Sequence, residues 1–385
     1  MSSSVGDLRA AILPTYARAD ITIVRGEGCR VWDDAGREYL DFVAGIAVVG
    51  LGHCHPAVLA AAQAQLELLW HASNLYYTEP MARLAGLLSE RLGGGQSFFC
   101  NSGAEANEAA IKYARKATGR AAVVALDGGF HGRTLGALSA TGQPSKWEGF
   151  GPLVPGVRFA APNDVESLEA AVMPGGDVAV LLIEPVLGEG GVIPLEEGYV
   201  QAAAEIAAET GALLCVDEIQ AGMGRTGTFF AYEQLGIAPD LVTLAKGLAN
   251  GLPIGALVVR DAVAGGLGPG DHGSTFGGNP VACAAACAVL EAVDADLLEN
   301  VRARGDELVS GLASVAGVRE VRGRGLLLGI TLDRPVAPVV DSCRERGLLV
   351  LSAGPDVLRL TPPLVVGPAE VEEAVETIST VLATT

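Results

Sequence analysis

Basic charge is in short supply in this 385-residue chain: 26 Lys+Arg against 45 Asp+Glu leave a formal net charge of −19. A surface of that sign repels nucleic-acid phosphates and anionic lipid, so either partner would require a dense basic patch. The densest basic stretch, Arg115 to Arg120, is short and reads as a helix end. Lysine is scarcest of all: only Lys112, Lys116, Lys146 and Lys246 occur, and the other 22 basic residues are arginine. Any amine catalyst is one of those four. The seven cysteines (29, 54, 100, 215, 283, 287, 343) are an odd number and form no C-x-x-C pair, which argues against a disulfide framework and a thiolate zinc site. Long apolar runs are missing too. The runs at 42–52 and 280–290 stop at His53 and Glu291, short of the roughly 18 residues that a membrane helix needs. The opening MSSSVGDLRA has no apolar core of signal-peptide type. The expectation is a cytoplasmic protein in a reducing compartment, with no membrane, nucleic-acid or metal partner.

What is present is apolar: 50% of residues are hydrophobic and 18% charged, enough for a substantial core and not for whole-chain disorder. Residues 21–42 alternate short β-rich runs with GEG and DDAG turns and read as a small antiparallel hairpin. Helical periodicity follows at 56–71 and 79–92. From Gln96 onward, QSFFC, AAVVALD, VAVLLIEP, ALLCVDEI, DLVTLA and ALVV are short apolar runs, with helix-like segments such as 104–117 and 197–210 between several of them. Apolar strands alternating with helices predict an α/β fold around a mostly parallel, doubly covered sheet. After about residue 295 the pattern changes to that of a small α+β domain. The expected division is an N-terminal segment, 1–50, packing with the small domain; a large domain, 51–295; and a C-terminal small domain, 296–385.

Lys246 directly follows an apolar run in DLVTLAKGLANG. It is either an exposed strand end or an amine desolvated enough to form a Schiff base with a carbonyl. Asp217 ends another run, LLCVDEIQ, and in a parallel sheet both residues project from carboxyl strand ends, where open α/β sheets bind ligands. Pyridoxal-phosphate enzymes need such a pair: a lysine for the aldehyde, and a carboxylate that keeps the pyridine nitrogen protonated. In FFCNSGAEANEAAIKYARK, Ser102, Gly103 and Ala104 fall at a helix N-terminus whose free N–H groups favour a phosphate. An ordinary serine cap with Glu105 in the first turn fits the same residues. In Asp127-Gly-Gly-Phe-His-Gly-Arg133, Phe130 suits stacking on a flat ring and Arg133 suits gripping a carboxylate; an exposed turn with a surface arginine is the alternative. Three further patterns read as incidental. Gly222–Gly227 fits G-x-G-x-x-G without a following helix, His53-Cys54-His55 has no third ligand cluster, and Cys283 with Cys287 suits a small-residue helix core.

From WDDAGREYLDF to RLTPPL the chain resembles the class III, fold type I pyridoxal-phosphate aminotransferases. VDEIQAGMGRTGTFFAYEQLGIAPDLVTLAKGLANGLPIGA is the most specific segment. Within that family, AGIAVVGLGHCHP, HASNLYY, NSGAEANEAAIKYARK and GGFHGRT most resemble the acetylornithine branch of arginine biosynthesis. Ala221 departs from relatives that often carry a hydroxyl or thiol there. The resemblance implies that Lys246 and Asp217 are catalytic, and that pyridoxal 5'-phosphate is held by Ser102, Gly103, Ala104, Phe130, Asp217, Glu218, Ile219, Gln220, Lys246 and Thr275. Phe130 and Ile219 then cover the two ring faces, Gln220 meets the ring hydroxyl and Glu218 stands behind. Thr275 arrives from a partner subunit, which implies a homodimer with shared sites. Arg133 and Ser274 hold substrate, Glu189 and Arg359 form a switch pair, and Tyr16 lines the entrance. The implied reaction moves the δ-amino group of N2-acetylornithine to 2-oxoglutarate. Ornithine, succinylornithine, 4-aminobutyrate or carrier-linked lysine as donor, and an aminomutase of the same fold, stay open at this point.

Overall fold

The structure is a computed structural model and describes residues 9–384; the first eight residues of the expected N-terminal segment lie outside the described residues. Its centre is a seven-stranded sheet in the order Gln96–Cys100, Gly255–Val259, Leu241–Leu244, Leu213–Asp217, Val178–Ile183, Ala122–Leu126, Val157–Ala160. Gly255–Val259 runs antiparallel to both of its neighbours, and the other strand pairs are parallel. Strand periodicity divides the core between the two faces of this sheet. On Val178–Ile183, Leu181 and Ile183 join one apolar cluster while Val180 and Leu182 join the other. A parallel sheet needs both faces covered, and the apolar runs supply that on every central strand.

The helix Gly103–Thr118 covers one face through Ala109, Ala110, Tyr113 and Ala114. Ser102 starts it: its Oγ accepts from Glu105 N at 3.2 Å, and Glu105 reaches back to Asn101 N at 2.5 Å. Gly119, at φ 68°, ends it in the left-handed conformation. VRFA at 157–160, not foreseen as a strand, closes the sheet edge.

The residues after 294 build a four-stranded antiparallel sheet, Val318–Arg324, Leu327–Leu332, Val357–Leu360, Leu351–Ser352, with the helices Ala295–Leu312, Val336–Glu345 and Pro368–Thr384. The expected hairpin near the start is a three-stranded antiparallel meander, Ile23–Glu27, Arg30–Asp33, Glu38–Asp41, joined in parallel by Leu348–Leu349. Cys29, Leu40 and Phe42 enter the same apolar cluster as Val301, Leu358 and Ile378. Among the described residues no helix is long and apolar enough to cross a membrane.

Between the meander and the helix Pro56–Leu68, residues Ala44 to Ala47 form a left-handed turn with φ between 47° and 68°. Asp41 caps it: Oδ1 accepts from Val43 N and Ala44 N at 2.9 Å, and Oδ2 lies 2.7 Å from His53 Nε2. The turn delivers Val48 to the edge of the main cavity.

Candidate active site

A cavity of about 380 Å³ opens where the parallel strands end. This is where the fold class puts ligands, because every strand there hands its chain to a loop pointing the same way. Ser102, Gly103, Ala104, Phe130, Arg133, Glu189, Asp217, Ile219, Gln220 and Lys246 line it. Lys246 follows Leu244 by two residues and adopts φ +44°, a left-handed conformation uncommon for a side-chain-bearing residue and one that clusters at functional sites. Burial holds its amine below the ordinary lysine range, Arg359 acting the same way against the pull of Glu189, Asp217 and Glu184.

Asp217 is buried and immobilised. Its Oδ2 accepts from Asn107 Nδ2 at 2.8 Å and lies 2.8 Å from His131 Nδ1, and its Oδ1 accepts from Ile219 N at 3.0 Å. Asn107 also donates to His131 O and accepts from Thr243 Oγ1, each at 2.8 Å, so both of its amide N–H groups are used and its orientation is fixed. Burial opposes a charged His131 ring, yet the hydrogen bond and charge of Asp217, with Glu184 behind, raise it above the ordinary histidine range. The reading of the sequence missed Asn107, His131, Thr243 and Glu184. One signal was available: Glu184 ends the run VAVLLIEP as Asp217 ends LLCVDEI.

At the opposite end the site is built of small residues. Gly103 and Ala104 occupy the first turn of a 16-residue helix, where N–H groups have no intrahelical partner. A Cβ on Gly103 would stand 2.7 Å from Ile219 Cδ1, and one on Gly132 would stand 2.6 Å from Ala104 Cβ, so glycine is what lets these walls meet. A helix N-terminus free to take a phosphate, Phe130 and Ile219 in the wall, a fixed carboxylate and an amine of lowered proton affinity line one cavity. It fits pyridoxal 5'-phosphate. Among the described residues no cluster of side chains is arranged to hold a metal ion.

Glu189 and Arg359 form the last element of the cavity. Arg359 Nη1 lies 2.5 Å from Glu189 Oε1 and also donates to Gly188 O at 3.1 Å and Gln220 Oε1 at 3.2 Å. Arg359 Nε is buried and has no hydrogen-bond partner among the described residues. Burial alone would raise the Glu189 carboxyl, but Arg359's charge and hydrogen bond bring it below the ordinary range. Glu189 lines the cavity whereas Arg359, 3% exposed, stands behind it. A Cβ on Gly188 would fall 2.1 Å from Gln220 Oε1, so any side chain there would displace the Gln220 amide from its place beside Arg359.

The family model for aminotransferase class-III matches residues 14–382. The chain belongs to the class-III aminotransferases. It is a pyridoxal-phosphate-dependent transaminase. Among curated relatives, the acetylornithine aminotransferase of Thermosynechococcus vestitus is 48% identical, across 97% of this chain and 95% of its own length. That of Methanopyrus kandleri is 50% identical across 96% of each. Among solved structures, the ornithine aminotransferase of Toxoplasma gondii matches with a TM-score of 0.93 at 35% identity, over 98% of this chain and 94% of its own. The N-acetylornithine aminotransferase of Stenotrophomonas maltophilia matches with 0.84 at 40%, over 97% and 98%.

Four residues expected at the site lie elsewhere in the single chain. Glu218 turns away from the cavity: its two oxygens accept from Ala231 N and Tyr232 N at 2.9 and 2.8 Å, because consecutive residues of an extended chain face opposite sides. Named among the cofactor-holding residues and also as standing behind them, Glu218 has the second position, and its place among the cofactor contacts is corrected accordingly; burial pushes its carboxyl up to about 8. Ser274 is one shell out, its Oγ accepting from Asn101 Nδ2 and Gly277 N at 3.1 Å. Thr275 is exposed beyond the cavity. Tyr16, 70% exposed, lies under the Arg18 guanidinium rather than at this cavity. The incidental patterns have structural roles. His53 pairs with Asp41, Cys283 and Cys287 are buried in the helix Pro280–Ala292, and Gly222–Gly227 is a run of turns.

Proposed function

We propose that this transaminase moves the δ-amino group of N2-acetyl-L-ornithine to 2-oxoglutarate, giving N-acetyl-L-glutamate 5-semialdehyde and L-glutamate in arginine synthesis. The donor rests on the relatives, which carry the acetylornithine aminotransferase name at 45–50% identity. The observation that carries the pairing of substrates is the position of Glu189 between the cavity and Arg359. The amine donor brings no carboxylate beside its reacting carbon, whereas glutamate does. An arginine masked by a displaceable carboxylate serves both.

Pyridoxal 5'-phosphate, when bound, supplies an electrophilic aldehyde and an electron-withdrawing ring that carries nitrogen from one half-reaction to the next. Lys246 Nζ would hold the aldehyde, and its lowered proton affinity suits it to take a proton from the substrate's reacting carbon and return it. Asp217, clamped by Asn107 and His131, would face the ring nitrogen and retain a proton there. Phe130 and Ile219 would exclude water from the ring faces, and Gln220 would meet the ring hydroxyl. Ser102, Gly103 and Ala104 would hold the phosphate. Arg133 would bind the carboxylate of the acetylated end in one half-reaction and glutamate's distal carboxylate in the other. Arg359 would take glutamate's α-carboxylate once Glu189 swings aside.

A cytoplasmic homodimer with shared sites completes the reading. The loop carrying Thr275 is tied to the preceding aromatic segment by Asn74, which donates to Ser274 O and Gly277 O at 2.9 Å. That surface exposes Trp70, Tyr76, Tyr77 and Phe276, each by more than half. So many exposed aromatics suit coverage by a second copy, which would bring its Thr275 to the phosphate.

Replacing Glu189 with Ala tests the switch. With Arg359 unmasked, the dicarboxylate half-reaction should gain on the acetylornithine half-reaction by roughly ten- to a hundredfold, the range expected for one charged contact. Single-turnover rates followed by cofactor absorbance measure it. Equal losses in both halves would contradict the switch.

A further inference from the structure

Glu184 is buried, lines the cavity and takes no part in the mechanism above. Its two oxygens serve two different loops: Oε1 accepts from Phe130 N at 2.7 Å and Oε2 from Gly188 N at 3.3 Å. The loops touch elsewhere as well, since a Cβ on Gly190 would stand 2.5 Å from Gly128 O. Gly188 continues the connection, its carbonyl accepting from Arg359 at 3.1 Å. We propose that Glu184 is a positioning residue for the two-substrate switch: one carboxylate ties the aromatic wall at Phe130 to the turn that carries Glu189. The inference rests on the switch reading of Glu189 and Arg359 and adds to it what holds the mask in its resting place.

Only an ionised carboxylate accepts well through both oxygens; a protonated one, like an amide, offers one good acceptor. The charged groups acting on Glu184 are His131, Asp217 and Lys246, besides the two N–H groups. Burial outweighs these and raises its carboxyl far above the ordinary carboxylate range, towards neutrality. A raised carboxyl is ionised at alkaline pH and protonated as the pH falls, so the clamp is closed on the alkaline side and released on the acidic side.

The test compares the two half-reactions, amine and dicarboxylate, in wild type, Glu184→Gln and Glu189→Ala at pH 8.5 and pH 6. Glu184→Gln should move the rate ratio in the same direction as Glu189→Ala, by roughly tenfold at pH 8.5. At pH 6, where the wild-type carboxyl is itself protonated, its effect should largely vanish. If Glu189→Ala moves the ratio and Glu184→Gln leaves it unchanged at both pH values, the clamp is wrong while the switch stands. If Glu189→Ala itself has no effect, the switch reading fails and amide hydrogen exchange decides the clamp. After correction for intrinsic rates, the segments holding Phe130 and Gly188 should exchange faster in wild type at pH 6 than at pH 8.5, and Glu184→Gln should exchange fast at both. Exchange indifferent to pH in the wild-type holoenzyme overturns the proposal without relying on any variant to fold.

Discussion

Single residues carry unequal amounts of the chemistry. Lys112 and Lys116 are occupied at the surface with Asp271 and His272. Lys146 stands 5.9 Å from the Phe130 ring centroid, outside the cavity wall. Lys246 is the lysine that lines the cavity. Lys246→Ala should abolish turnover and the absorbance of the covalently held cofactor while leaving the thermal unfolding transition in place. Borohydride reduction of the wild type should fix the cofactor on Lys246 alone; label on Lys146 would contradict the assignment. Lys246 and Asp217 were legible because a charge at the end of an apolar run stands out against its neighbours. Their supports were not. Asn107 is one polar residue within an alanine-rich helix, Thr243 sits inside a strand, and His131 meets Asp217 across 86 residues of chain. Nothing local in the sequence encodes that meeting.

Elements with a strong period were readable, and elements set by tertiary contacts were not. The six apolar runs are strands of the large sheet because each is short, apolar and bounded by turns or helices. Val157–Ala160 escaped notice because four residues containing an arginine show no period. The left-handed turn at Ala44–Ala47 is the clearest case. Such backbone costs roughly 1–2 kcal/mol per non-glycine residue, and Ile46, β-branched, is among the residues least suited to it. Besides the local cap from Asp41, distant chain holds its flanks: Thr361 Oγ1 donates to Val43 O, Leu364 N to Gly50 O and Leu51 N to Asn250 Oδ1. The strain is held by contacts that the segment itself does not contain, and its product is a cavity wall at Val48.

At the scale of the whole molecule, Arg225 pins the seven-stranded sheet to the antiparallel sheet of the C-terminal part. It is buried, and its Nη1 donates to Leu326 O and Pro362 O, a charge solvated by carbonyls that burial lowers to about 9. Through that pin the strand bearing Arg359 is registered against the cavity of the other sheet. A site divided between subunits makes a prediction of its own. Mixing Thr275→Val subunits with Lys246→Ala subunits gives heterodimers in which one site carries both lesions and the other neither. Activity should partly return on mixing; no recovery despite confirmed subunit exchange would contradict a shared site. The most direct test of the central claim is a stoichiometric half-reaction on the purified enzyme. One equivalent of N2-acetylornithine, without acceptor, should convert the cofactor absorbance and release one equivalent of semialdehyde; 2-oxoglutarate should then restore the spectrum and yield one equivalent of glutamate. Turnover that proceeds without 2-oxoglutarate, or faster conversion by ornithine or 4-aminobutyrate than by N2-acetylornithine, would contradict it.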